Sequence, residues 1–167
     1  MIRILRWCRK ACASFHEMKT EKGSLEAAMR MARRCEHPHC FACGEPVSGG
    51  LGLSFELDRE GEVVADWIPP ASMESYPGIL HGGIIATLLD SAMVQVLFAA
   101  GIVARTGDLH IRFRMPVLTL SPVQVRAGLR DQRPPLFRLE AVLWQKGIRC
   151  AYAEAKFMST SEIIKEW

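Results

Sequence analysis

Residues 83–100 place the strongest constraint on this chain. Ile84-Ile85-Ala86-Thr87-Leu88-Leu89 runs into Asp90 and continues as Ser91-Ala92-Met93-Val94-Gln95-Val96-Leu97-Phe98-Ala99-Ala100. Thirty residues lie between Glu74 and Arg105, and with His81 neutral Asp90 is the one among them that carries a formal charge. A helix that is apolar all round needs cover on most sides, so this segment predicts a core element with the rest of the chain built about it. A carboxylate in so apolar a helix is costly to bury unless it is paired or hydrogen-bonded. Asp90 is therefore the first candidate for chemistry. Its structural alternative is a buried carboxylate bonded to Thr87 or Ser91.

The rest of the sequence supplies that cover. Residues 51–57 and 62–68 alternate as strands, joined by the turn signal at 58–61. Pro69-Pro70 stops the second. The helix ends before Gly101, and four further strands are expected near 106–115, 122–131, 136–145 and 148–158. Leu109, Ile111, Phe113 and Met115 alternate with His110, Arg112 and Arg114; Ala151, Ala153, Ala155 and Phe157 alternate with Tyr152, Glu154 and Lys156. Period-two patterning gives one packed face and one polar face. The expected architecture is α+β, an antiparallel sheet of about six strands wrapped around one long central helix. A short helix is expected at 24–34, with Ser24 as its N-cap and Ala27, Ala28 and Met31 on one side.

Charge divides the chain unevenly. Residues 1–34 hold nine Lys/Arg and three Glu, while 35–167 hold twelve Lys/Arg and fifteen Asp/Glu. The basic character belongs to the arm, which argues against a nucleic-acid-binding domain. Arg3, Arg6, Arg9 and Lys10 interrupt any secretory apolar run. The long apolar helix has Asp90 near its middle, which argues against stable membrane insertion. A cytoplasmic chain is expected, with its six cysteines free or metal-bound rather than paired.

His81-Gly82-Gly83 at the mouth of the apolar helix, with Asp90 further along it, resembles the hotdog-fold acyl-CoA thioesterases of the phenylacetic-acid-degradation type. Thr106-Gly107-Asp108-Leu109-His110-Ile111-Arg112-Phe113-Arg114-Met115-Pro116 is similar to that family's strand after the helix, and Cys40-Phe41-Ala42-Cys43-Gly44 leading to Gly50-Leu51-Gly52-Leu53 to its opening segment. The resemblance implies a hotdog thioesterase domain over 35–160, preceded by the basic arm and short helix of 1–34 and followed by a tail at 161–167. It implies hydrolysis of acyl-CoA to free acid and coenzyme A, with no cofactor. Two rivals stay open: a non-catalytic acyl-CoA-binding or regulatory hotdog protein, and a hotdog hydratase or dehydratase acting on acyl thioesters.

On that reading Asp90 is the base that activates water or the nucleophile that attacks the thioester. The N–H of Gly83 is the main oxyanion donor, with Gly82 opening the helix to close approach by substrate; the plainer reading is a tight Gly-Gly turn. His81 orients the loop or hydrogen-bonds the backbone, and its plainer reading is a loop-bracing histidine. Thr106 falls where relatives place a hydroxyl that helps hold water. Ser75 or Glu74 substitutes for the Asn or Gln that some relatives carry before His-Gly-Gly. Arg112 and Arg114, with Arg126 and Arg130, are candidates to meet the phosphates of coenzyme A, and their plainer reading is a solvated face or a subunit contact. Gly83 and Asp90 are ~10 Å apart along the helix axis at 1.5 Å per residue. One thioester carbon reaches both more readily across two chains, so a homodimer, or a tetramer of such dimers, with the active site at the subunit interface is expected.

Cys35, His37, His39, Cys40 and Cys43 crowd nine residues. Their expected role is a thiol-rich loop capping the sheet, and the less favoured alternative is a zinc site drawing on Cys35, His37, Cys40 and Cys43.

Overall fold

The computed structural model describes residues 22–44 and 50–159. The basic segment before Lys22, with Cys8 and Cys12, and the expected tail at 161–167 lie outside them. In chain order the elements are α1 (Lys22–Glu36), β1 (Glu56–Leu57), β2 (Val63–Trp67), a 3-10 turn (Ala71–Met73), β3 (Glu74–Tyr76), β4 (Ile79–Leu80), α2 (Gly82–Ala99), β5 (Ala104–Phe113), β6 (Val123–Arg133), β7 (Leu136–Gln145) and β8 (Ile148–Ser159). Six strands form one antiparallel sheet in the order β1-β2-β6-β7-β8-β5. This is the hotdog arrangement, with the sheet curled over α2.

Packing follows the alternation in sequence. Val123, Val125 and Ala127 of β6, Phe137, Leu139, Ala141 and Leu143 of β7, and Ala151, Ala153, Ala155 and Phe157 of β8 are buried against α2, whose Leu88, Leu89, Ala92, Met93, Leu97 and Phe98 are buried in return. Three alanines in register on β8 leave room for the helix, where bulkier side chains would overpack the core. By length and composition α2 is apolar enough to cross a membrane, and just over half of it is buried inside this fold.

The structure departs from the sequence expectation in four places. Only Glu56–Leu57 of the strand expected at 51–57 joins the sheet; Leu51 and Leu53 instead donate their N–H groups to the carbonyls of Phe41 and Ala42. That pairing fastens the Cys/His loop to the core. A short hairpin, β3–β4, occupies a stretch with no period-two signal and turns at Gly78, whose φ is +73°. Helix α1 continues to Glu36, through the boundary placed at residue 35, and buries Ala28 and Met29 against the core while Met31 is exposed. Phe113 and Met115, expected on the packed face, are about half exposed. Phe113 is the last residue of β5 and Met115 lies just beyond it, and β5 forms one end of the sheet.

Candidate functional site

Asp90 stands on α2 at the edge of the apolar face, and the structure brings it a partner that the sequence only partly signals. The Thr106 hydroxyl donates to Asp90 Oδ1 at 2.8 Å. Regular alternation would set Thr106 on the opposite face from Leu109. The register of β5 against β8 shifts between Thr106 and Asp108, so Thr106 faces Phe157 while Asp108 faces Lys156. This one-residue bulge at Gly107 returns Thr106 to the helix side of the sheet. Thr87, a suggested partner of Asp90, bonds instead to the carbonyl of Gly83 at 3.0 Å.

Burial pushes the Asp90 carboxyl above the usual carboxylate range, opposed by the Thr106 hydrogen bond and by the nearby His37. His37 lies on the loop after α1, and burial holds its ring below the ordinary histidine range, with Glu36 and Asp90 opposing that shift and Arg105 adding to it. His37 was not expected near Asp90, since nothing local in the sequence links residue 37 to residue 90.

The sign of a pH dependence follows. If the working form of Asp90 is the carboxylate, activity is present above its raised pKa and is lost as pH falls through it. Thr106→Val removes a stabiliser of the charged form and shifts that limb to still higher pH. Loss of one hydrogen bond to a charged group also costs activity, by about tenfold or more at neutral pH. A pH–rate profile of the two proteins checks both statements.

At the mouth of α2, His81 is the N-cap. Its backbone is extended, and its Nδ1 accepts the Gly83 N–H at 2.9 Å. The neutral ring therefore carries its proton on Nε2. The carbonyl of His81 accepts from Ile84 and Ile85 at 3.0 and 3.2 Å. The amide expected to serve as main oxyanion donor, that of Gly83, is thus taken up by the cap. Among the described residues none accepts a hydrogen bond from the Gly82 N–H, which leaves Gly82 as the donor at this terminus. A Cβ at Gly83 would lie 3.1 Å from His81 Nδ1, so any larger residue there presses on the capping ring. A Cβ at Gly82 would meet the Phe113 ring at an ordinary 3.7 Å.

The remaining expected residues lie apart from Asp90. Ser75 is exposed on β3, and its neighbour Glu74 accepts from the Thr119 hydroxyl at 2.8 Å. The β3–β4 hairpin is tied to the helix mouth by the His81 N–H, which donates to the Met73 carbonyl at 2.9 Å. Arg112 is exposed on β5 in register with Tyr152, and Arg114, also exposed, follows the strand with its N–H bonded to the Cys150 carbonyl. Tyr152 belongs to a polar network away from α2 in which its single hydroxyl proton is within reach of Glu154 at 2.9 Å and Glu140 at 3.1 Å, and Arg130 pairs with Glu154. Arg126 pairs with Asp58 and Glu62. His37, Cys40 and Cys43 converge, and Cys35, on the last turn of α1, is not among them.

Comparison with known proteins agrees with this architecture. Residues 77–152, which span the helix mouth, α2 and most of the sheet, match the profile described as Thioesterase superfamily. This stretch is similar to a thioesterase-superfamily domain. The acyl-coenzyme A thioesterase THEM4 of Rattus norvegicus is 32% identical over 84 residues, which cover 48% of this chain and 36% of that protein. The chain thus spans only about a third of the length of this curated relative. Among solved structures, the E. coli PaaI protein from the phenylacetic acid degradation operon superposes with a TM-score of 0.61 at 21% identity, covering 65% of this chain and 83% of that one. A hypothetical thioesterase from Streptococcus pneumoniae, solved with coenzyme A, gives 0.61 at 20% identity, covering 65% and 88%. At these identities the structures speak for the fold.

Proposed function

We propose that this chain hydrolyses acyl-CoA thioesters to free acid and coenzyme A. The observation that carries the proposal is the desolvated Asp90 carboxylate on the core helix, held through one oxygen by Thr106. The relatives support the choice of substrate: THEM4 bears the name of an acyl-coenzyme A thioesterase, and the streptococcal protein was solved with coenzyme A.

In the base route, Asp90 takes a proton from water through the oxygen that Thr106 leaves free. The hydroxide adds to the thioester carbon, and the oxyanion is held by the Gly82 N–H at the positive end of α2. The C–S bond then breaks, and the leaving thiolate recovers the proton from Asp90. In the nucleophile route Asp90 attacks the same carbon, the C–S bond breaks to expel the thiolate, and water cleaves the resulting anhydride to the free acid and the Asp90 carboxylate, a proton released from water passing to the thiolate. Single turnover in oxygen-18 water separates the two, since label reaches Asp90 only in the second.

We further propose that the two groups come from two copies of the chain. Gly82 and Asp90 are eight residues apart on one helix, ~12 Å along its axis. Strand β5 is ten residues long and ends the sheet, which is a template for pairing. Phe113, which lies against Gly82, and Met115 beyond it are apolar and half exposed.

A thiol-release assay over short, medium, long and aryl acyl-CoAs tests the activity. Enzyme-dependent release is expected for at least one class. No release above the uncatalysed rate from any of them would overturn the proposal.

A further inference from the structure

The cluster at the end of α1 takes no part in the steps proposed for Asp90, although its His37 lies near that carboxyl. The His37 N–H bonds to the Arg33 carbonyl at 2.9 Å, the Cys40 N–H to the His37 carbonyl at 3.2 Å, and the Gly44 N–H to the Cys40 carbonyl at 2.8 Å. The chain therefore folds back on itself twice within eight residues. The second turn is so tight that a Cβ at Gly44 would sit 2.6 Å from the Cys40 oxygen and 2.7 Å from its nitrogen. Only glycine fits, and the turn sets both sulfurs of Cys40-x-x-Cys43 on one side. One ligand atom each from His37, Cys40 and Cys43 then lies within 4.8 Å of the others.

We infer that His37, Cys40 and Cys43 bind a zinc ion through one imidazole nitrogen and two thiolates. His37 Nδ1 and Cys43 Sγ are 3.8 Å apart. Two ligands at the tetrahedral angle on zinc, with bonds of ~2.0 Å to nitrogen and ~2.3 Å to sulfur, stand ~3.5 Å apart, so this pair needs to close by only a few tenths of an ångström, and Cys40 Sγ lies within 4.8 Å of both. The donor set is the soft and borderline kind that zinc prefers.

An independent observation comes from α2. Gln95 is 1% exposed, and its Nε2 donates to Cys43 Sγ at 3.4 Å. An amide N–H aimed at sulfur stabilises the thiolate, as partners outside the ligand shell of metal sites do. The other atom of the same amide, Gln95 Oε1, is a buried acceptor with no partner. A water on the fourth position of a three-ligand zinc is a donor of the kind that acceptor needs. The His37 ring packs edge-on against Phe98 with centroids 4.9 Å apart, which fixes its orientation. A cleft of about 470 Å³, lined in part by Arg33, Arg34, His37, Cys43 and Gly44, gives the ion a way in. The bound ion would pin the loop to α2 and, through the Phe41 and Ala42 carbonyls, hold the extended segment at residues 51–53.

The test uses the full chain, reduced and stripped with a chelator. Titration with Zn²⁺ against a chromogenic competitor is expected to show one equivalent bound per chain. Titration with Co²⁺ is expected to give a near-ultraviolet thiolate band together with strong visible bands of tetrahedral cobalt. Cys40 is only partly buried, so Cys40→Ser is expected to keep its far-ultraviolet circular dichroism and to lose both signals. A reduced parent chain that takes up no Zn²⁺ at one equivalent, Co²⁺ bands of octahedral oxygen ligation, or uptake unchanged in Cys40→Ser would each overturn the assignment. The parent's Co²⁺ spectrum needs no variant to fold, and none of these readouts depends on thioester hydrolysis.

Discussion

Asp90→Asn is expected to lower kcat/KM for acyl-CoA hydrolysis by on the order of 10²-fold or more while the fold is kept. Asparagine matches aspartate in size, and its amide oxygen still accepts the Thr106 hydroxyl that Asp90 Oδ1 accepts at 2.8 Å. It neither takes up a proton from water nor attacks as a carboxylate. Stability should move the opposite way. Burial raises the folded-state pKa of Asp90, so its ionisation works against folding. That group's contribution is most favourable below the unfolded carboxylate value and declines as pH rises through the higher folded value. Asp90→Asn is therefore at least as stable as the parent at neutral pH, and its advantage narrows as pH falls toward the ordinary carboxylate pKa of about 4. Steady-state kinetics and melting curves across that range check the pair of effects. Loss of activity together with loss of stability would mark Asp90 as structural.

Gly82→Pro is expected to cost about 10²- to 10³-fold in kcat, the usual effect of removing one oxyanion donor. The substitution deletes an N–H and little else. Gly82 is the first residue of α2, where proline is well tolerated because its missing donor has no helical partner. The residue before a proline must be extended, and His81 already has φ −63° and ψ 132°. Added ring carbon faces Phe113, at ordinary contact distance from a Cβ built on Gly82. A small change in melting temperature with a large fall in kcat supports the role of the amide. Unchanged kcat would remove Gly82 from the mechanism.

Much of the architecture could be read from residue order. An apolar run with one carboxylate fixes a buried helix, because burial needs partners on every side. Alternation in β6, β7 and β8 places their inner faces, since side chains on a strand point to opposite sides in turn. The site was less legible where single residues override these periods. Thr106 reaches Asp90 through a bulge at Gly107. A lone glycine in a strand hints at such a bulge but does not say which parity results. His81 was expected to orient the loop or bond the backbone, and its Nδ1 accepts the Gly83 N–H, so the oxyanion donor we propose is Gly82 rather than Gly83. Histidine is not among the residues that habitually cap helices, so the sequence did not say which amide the ring would take. The gathering of His37, Cys40 and Cys43 over Gln95 depends on contacts across more than fifty positions. Local spacing suggested these ligands together with Cys35, whose sulfur does not join the three that converge.

The central claim is that the helix mouth of one copy and Asp90 of a second process one thioester. It is tested most directly by mixing two inactive chains, Asp90→Asn and Gly82→Pro, and measuring thiol release from hybrids verified by native mass spectrometry. Each hybrid pairs an intact Gly82 with an intact Asp90 at one of its two sites. Statistical mixing of dimers in two-fold symmetry should therefore restore about a quarter of parental activity. Verified hybrids that stay as inactive as their parents would contradict the shared site.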